Sequence, residues 1–118
     1  MNKKTNFKVA KIAKKRVETI LLTAKNIRSM QDLGGGFRRA VVNPDKIVAP
    51  FTGQVFRIQV GPSRRVISAG WSFPLAPFNP NQYVTESFPE NDRTWTLVIS
   101  NTTATPLTVR FFVISKLA

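Results

Sequence analysis

Cysteine and histidine are both absent from this 118-residue sequence. Their absence removes thiol nucleophiles, disulfides, imidazole bases and the usual ligands of zinc, haem and copper together, and it leaves the redox compartment unreadable. Acidic residues are scarce as well, 6 against 18 Lys and Arg, so the formal net charge is +12. A field of that sign attracts polyanions or anionic membrane surfaces without distinguishing between them. No run of about 18 apolar residues occurs, so no transmembrane helix is predicted. The stretch from Met1 to Lys8 is basic like the start of a secretory signal, but Lys11, Lys14, Lys15 and Arg16 interrupt the apolar segment that should follow.

What is present divides unevenly. The first 39 residues carry 11 Lys and Arg against Glu18 and Asp32, and the remaining 79 carry 7 against 4. All 8 prolines and both tryptophans lie after Gly34-Gly35-Gly36. One core of ordinary size is all this length allows. The expected organisation is a basic arm over residues 1–36, ending in a glycine hinge, followed by one domain over residues 37–118.

Within the arm, Val9, Ile12, Ala13, Val17, Ile20, Ala24, Ile27 and Met30 recur at steps of three and four. That spacing predicts an amphipathic helix over residues 8–31, with Lys11, Lys14, Glu18, Lys25 and Ser29 on its other side. Residues 17–22 support a competing reading as a short strand, because β-branched residues are frequent there and Leu21 and Leu22 fall off the helical stripe.

The second part reads as strands separated by turns. Residues 54–60 alternate Phe56, Ile58 and Val60 with polar neighbours; residues 94–100 set Trp95, Leu97 and Ile99 on one face; residues 107–115 alternate Leu107, Val109, Phe111 and Val113 with Thr108 and Arg110. The last two are expected to pair as an antiparallel hairpin across residues 101–106. Weaker strands are expected at residues 38–42, 46–49, 65–71 and 82–87. About seven short strands with frequent turns predict a mainly β fold, a small β-sandwich or jelly-roll-like domain.

The chemistry available is narrow. Glu86, Glu90 and Asp92 cluster around Pro89, but they lack the ligand spacing of a calcium loop and read as a solvated acidic turn. The glycine triplet lacks a Walker lysine, so phosphate cradling is not expected. Asn101-Thr102-Thr103 matches a glycosylation sequon and reads more economically as a turn. Trp71 and Trp95 are candidates for base stacking beside Arg57, Arg64 and Arg65, although Trp95 shares a strand face with Leu97 and Ile99 and reads as core. No catalytic residue, cofactor site or metal site is expected, and the chain is read as not an enzyme.

The basic segment is the most informative element. Lys3, Lys4, Lys8, Lys11, Lys14, Lys15, Arg16, Lys25, Arg28, Arg38 and Arg39 are the candidate polyanion-binding residues, since mobile cations neutralise phosphates without reading bases. Val9, Ile12, Val17, Ile20, Ile27 and Met30 form the candidate apolar docking face of the same helix, as interfacial helices require.

A basic, partly helical arm from Met1 to Arg39, followed by a β domain of about 80 residues ending in Thr108-Val109-Arg110-Phe111-Phe112-Val113-Ile114, resembles the small jelly-roll coat, penton and minor capsid proteins of icosahedral viruses. The resemblance implies a virion structural protein that forms homo-oligomers and meets other shell proteins through its β domain. It also implies an arm directed to the particle interior, towards genome, anionic membrane or a neighbouring shell protein. About seven strands is fewer than the usual eight of a jelly roll. The alternative is a cellular RNA-binding protein such as a ribosomal component, placed in a cytoplasmic ribonucleoprotein.

Overall fold

A computed structural model describes residues 15–74 and 82–118. The strands are β1 (Lys15–Leu21), β2 (Ile27–Gly34), β3 (Phe37–Val42), β4 (Lys46–Val48), β5 (Thr52–Gln59), β6 (Arg64–Ser72), β7 (Gln82–Asn91), β8 (Thr94–Asn101) and β9 (Leu107–Leu117). They form two sheets. The first has the order β1-β5-β8-β7; in the second β9 is central, with β2-β3 and β4 laddered to it and β6 paired with it as well. Since β3 and β6 pair with the same residues of β9, they flank it on opposite sides.

Alternation builds the core between the sheets. On β5, Gln54, Phe56 and Ile58 are buried; on β9, Leu107, Val109, Phe111, Val113 and Ser115 are buried while the residues between them stay half-exposed. Period-two burial of this kind is what a strand with one covered face requires. Phe56 of the first sheet meets Phe111 of the second edge-on, ring centroids 4.9 Å apart at 61°. Ile20, Val42, Val48, Val60, Leu97 and Ile99 close around them.

The predicted helix over residues 8–31 is corrected over its described part. Residues 15–31 run as β1, a single 3₁₀ turn at Ala24–Asn26, and the start of β2; residues 8–14 lie outside the described residues. Thr23 stops β1 with a reciprocal cap, its side chain accepting from the Lys25 amide while Asn26 Oδ1 accepts from the Thr23 amide at 2.7 Å. β1 then ladders in parallel onto β5, Val17 beside Val55 and Ile20 beside Ile58. Ladder pairing and burial of Ile20 outweigh helical spacing, as tertiary context overrides local preference. β1 and β2, which the sequence places in the arm, are therefore strands of the sandwich.

The expected hairpin between the last two strands is also corrected. β8 lies between β5 and β7, and β9 belongs to the other sheet. Residues 101–106 carry the chain from one sheet to the other, while β7 and β8 share a tight turn in which Asn91 Oδ1 accepts from the Arg93 amide at 3.0 Å. Gly34, Gly35 and Gly36 all have positive φ and make the β2–β3 turn, a backbone only glycine adopts without strain.

Candidate interaction surfaces

Strands with one ladder partner among the described residues are β1 and β7 in the first sheet and β2, β6 and the short β4 in the second. Among the described residues the outer side of each of these strands has no ladder partner, the kind of edge open to pairing, although the Val66 amide of β6 donates to the Asp92 carbonyl at 2.8 Å. Apolar side chains gather on the same strands. Val17 and Leu21 on β1, Met30 and Leu33 on β2, Ile67 and Trp71 on β6 and Phe88 on β7 are exposed, Val17 at 64%.

Charge is distributed unequally between the faces. On the outer side of the first sheet Glu90 accepts from Arg57 Nε at 2.9 Å and from Thr96 Oγ1 at 2.7 Å. Arg57 first, then Thr96, hold the Glu90 carboxyl below the usual glutamate range, and Glu90 raises the Arg57 guanidinium. Glu86 is exposed close by, and Asp92 is exposed in the turn. The acidic residues thus do not converge: among the described residues no group of three or more is placed to hold a metal ion.

The second sheet is basic. Arg110 grips Asp45 with two hydrogen bonds of 2.9 Å, and Arg28 reaches the same carboxylate at 3.2 Å. The Arg110 hydrogen bonds are the main cause that lowers the Asp45 carboxyl, with the Arg28 charge assisting, and Asp45 in turn raises Arg110. Arg39 donates to Gln31 across the strand pair. Lys116 lies 5.4 Å from the centroid of the Phe37 ring and Arg65 pairs beside Lys116.

One cation is inside. Arg64 is buried at 8% exposure, where its Nε donates to Ser115 Oγ at 2.8 Å and its Nη2 to the Gly36 carbonyl at 2.8 Å and the Ser115 carbonyl at 3.2 Å. Burial is the first cause that pushes its pKa down and the nearby Arg38 charge the second, with Asp32 opposing. Arg64 therefore acts as a staple of the β3, β6 and β9 ends rather than as an exposed ligand.

The residues singled out by sequence are scattered. Lys3, Lys4, Lys8, Val9, Lys11, Ile12 and Lys14 lie outside the described residues; Lys15 opens β1, and Arg16 and Lys25 are exposed apart from the rest. Arg28 and Arg39 join the basic sheet, while Arg38 takes a half-buried place near Arg64. The apolar stripe is dispersed: Ile20 enters the core, Ile27 is half-buried, and Val17 and Met30 are exposed on different sheets. Sequence reasoning set Arg65 beside Trp71 as a stacking neighbour without counting it among the polyanion-binding residues, and it missed Arg110 and Lys116, which are isolated cations in the sequence. The signal for these two was the alternation of Arg110, Phe112, Ile114 and Lys116 as the outward positions of β9.

Trp95 packs partly against the core, its Nε1 donating to Ser87 Oγ at 2.9 Å, whereas Trp71 is exposed on β6. Asn101 is buried at 1% exposure. Its amide donates to the Val48, Ala49 and Thr105 carbonyls, and its Oδ1 accepts from the Thr103 amide and hydroxyl. The sequon is thus a turn, and the amide nitrogen a glycan would need is fully engaged.

A family model, YjdH, matches residues 18–115, and the chain belongs to the YjdH family. No curated protein and no solved structure matches it.

Proposed function

We propose that this YjdH-family chain is a structural assembly protein, in the manner of a virion shell component, and not an enzyme. It associates side by side through its β domain and directs basic surface towards a polyanion or a neighbouring shell protein. The observation that carries the reading is the state of the edge strands. β1, β2, β6 and β7 are 7, 8, 9 and 10 residues long, and they hold 7 of the 11 large apolar side chains exposed among the described residues. Charge and proline blunt such edges in part, as Pro89, Glu86 and Glu90 do on β7 and Lys15, Arg16 and Glu18 on β1, and they leave the apolar side chains exposed. An assembly covers them with neighbours.

The order of the strands supports the jelly-roll comparison. β4, β5, β6 and β7 alternate between the sheets, and β8 and β9 return to the middle of each, the wrapping used by jelly rolls. Sedimentation of the full chain tests the reading. A discrete multi-subunit species should form, and Val17→Lys with Ile67→Lys should dissociate it without unfolding the domain. Unchanged sedimentation of that variant removes the edges from the assembly. A monomer that binds structured RNA tightly favours a ribonucleoprotein role instead.

A further inference from the structure

The outer side of the second sheet has a regular arrangement that the basic arm does not explain. Phe111, Val113 and Ser115 point into the core, so Phe112, Ile114 and Lys116 point away from it. Strand pairing places Val41 and Gly70 beside Phe112, Arg39 and Ser68 beside Ile114, and Phe37 and Arg65 beside Lys116. These three successive rungs carry three cations, two phenylalanines and no carboxylate.

The aromatic positions are partly accessible, Phe112 half-buried and Phe37 exposed. A Cβ added at Gly70 would meet nothing within 4 Å, so one flank of Phe112 is open. On its other flank lies a depression of about 480 Å³ lined by Ser29, Met30, Gln31, Arg39, Val41 and Phe112. Phe37 is 36% exposed with the Lys116 ammonium over its ring. At the far end of the same strand, Arg110 and Arg28 share the single carboxylate of Asp45 and leave a further surplus of positive charge.

We infer that this face binds single-stranded nucleic acid, with Phe112 and Phe37 stacking on bases and Arg39, Arg65 and Lys116 neutralising phosphates. Aromatic rings set among cations on an open sheet are the combination that such strands need. A duplex keeps its base faces stacked inside and offers the phenylalanines nothing. A membrane surface requires apolar side chains that project and insert, whereas these rungs hold their apolar positions Val41, Phe112 and Ile114 half-buried and their cations Arg39, Arg65 and Lys116 exposed. The inference rests on the polyanion half of the proposed function and is independent of edge assembly.

Fluorescence anisotropy of the full chain with a labelled oligothymidine tests it, with sedimentation run in parallel. Phe112→Leu keeps the bulk and removes the ring, and should weaken binding about fivefold or more, the loss of roughly one stacked base. Arg39→Gln, Arg65→Gln and Lys116→Gln together should flatten the dependence of log K on log salt by about 2, three phosphates at about 0.7 each. Should Phe112→Leu fail to fold by circular dichroism, Phe37→Leu and the surface triple variant carry the test. Unaltered sedimentation in these variants separates the face from assembly. The inference is overturned if wild type ignores oligothymidine at low salt. It is equally overturned if the face variants bind as wild type while Gln at Lys3, Lys4, Lys8, Lys11 and Lys14 removes binding. Parallel loss of phosphatidylserine-vesicle binding in the same variants reassigns the face to lipid and also overturns it.

Discussion

Arg64 and Ser115, 51 residues apart in the chain, meet inside the sandwich, where Arg64 Nε donates to Ser115 Oγ at 2.8 Å. The same guanidinium also takes the Ser115 and Gly36 carbonyls, so one buried cation ties the β2–β3 turn to β6 and the end of β9. Replacing it by alanine leaves three acceptors, two of them on buried Ser115, without their donor. Arg64→Ala should lower stability by about 2 kcal/mol, the scale of hydrogen bonds to a charged donor. Urea unfolding checks this, and a variant as stable as wild type would mean that relief of the buried charge offsets the lost bonds.

Asn101 should be less replaceable still. Its amide donates to three carbonyls and its oxygen accepts from Thr103, and this holds the crossing from β8 to β9. Asn101→Asp turns the donor that serves these three carbonyls into an acceptor facing them. A loss of about 3 kcal/mol or more is expected, because the buried group is both unsatisfied and charged. A thermal melt within a degree or two of wild type would remove Asn101 from this role.

The two sheets should come apart at one contact. Phe56 and Phe111 pack edge-on at 4.9 Å, both essentially without exposure. Phe111→Ala should cost about 3–5 kcal/mol, burial plus the cavity left behind. Phe111→Leu should cost less. The ordering of the two variants in chemical denaturation is the check, and equal losses would point to the ring geometry rather than volume.

Stability should decline in acid for a reason that can be traced. Asp45 and Glu90 titrate below their ordinary values of 3.8 and 4.5, Arg110 being the first cause for Asp45 and Arg57 for Glu90. A carboxyl depressed in the folded state contributes stability that is present above its unfolded pKa and is lost as pH falls through the folded one. The melting temperature should therefore hold down to about pH 5 and drop below the ordinary carboxylate range. Asp45→Asn with Glu90→Gln should lower the plateau and flatten the drop. An identical acid profile in that variant would place the sensitive groups elsewhere.

Much of the β architecture was legible in the sequence, because Phe56, Ile58 and Val60 or Val109, Phe111 and Val113 alternate without ambiguity and proline, glycine and asparagine mark the turns. Each of the seven strands expected after the glycine triplet has a counterpart in the fold. Residues 17–22 were not decidable locally: Ile20 suits a helical stripe and a strand equally, and its pairing with Ile58 of β5 settles the matter from a distance. The loop after Asn101 misled for a similar reason, since turn-forming residues look alike whether the chain folds back within a sheet or crosses to the other. The basic sheet was hidden because Arg65, Arg110 and Lys116 become neighbours of Arg28 and Arg39 only through the ladders of β3, β6 and β9.

The central proposal is that edge strands with one ladder partner among the described residues make this domain a building unit. Electron microscopy of the full chain at rising concentration addresses it most directly. The account predicts closed rings or shells in which neighbouring domains lie edge to edge, lost when Val17 and Ile67 are both replaced by lysine. Monomers at every concentration, alike in wild type and variant, would contradict it.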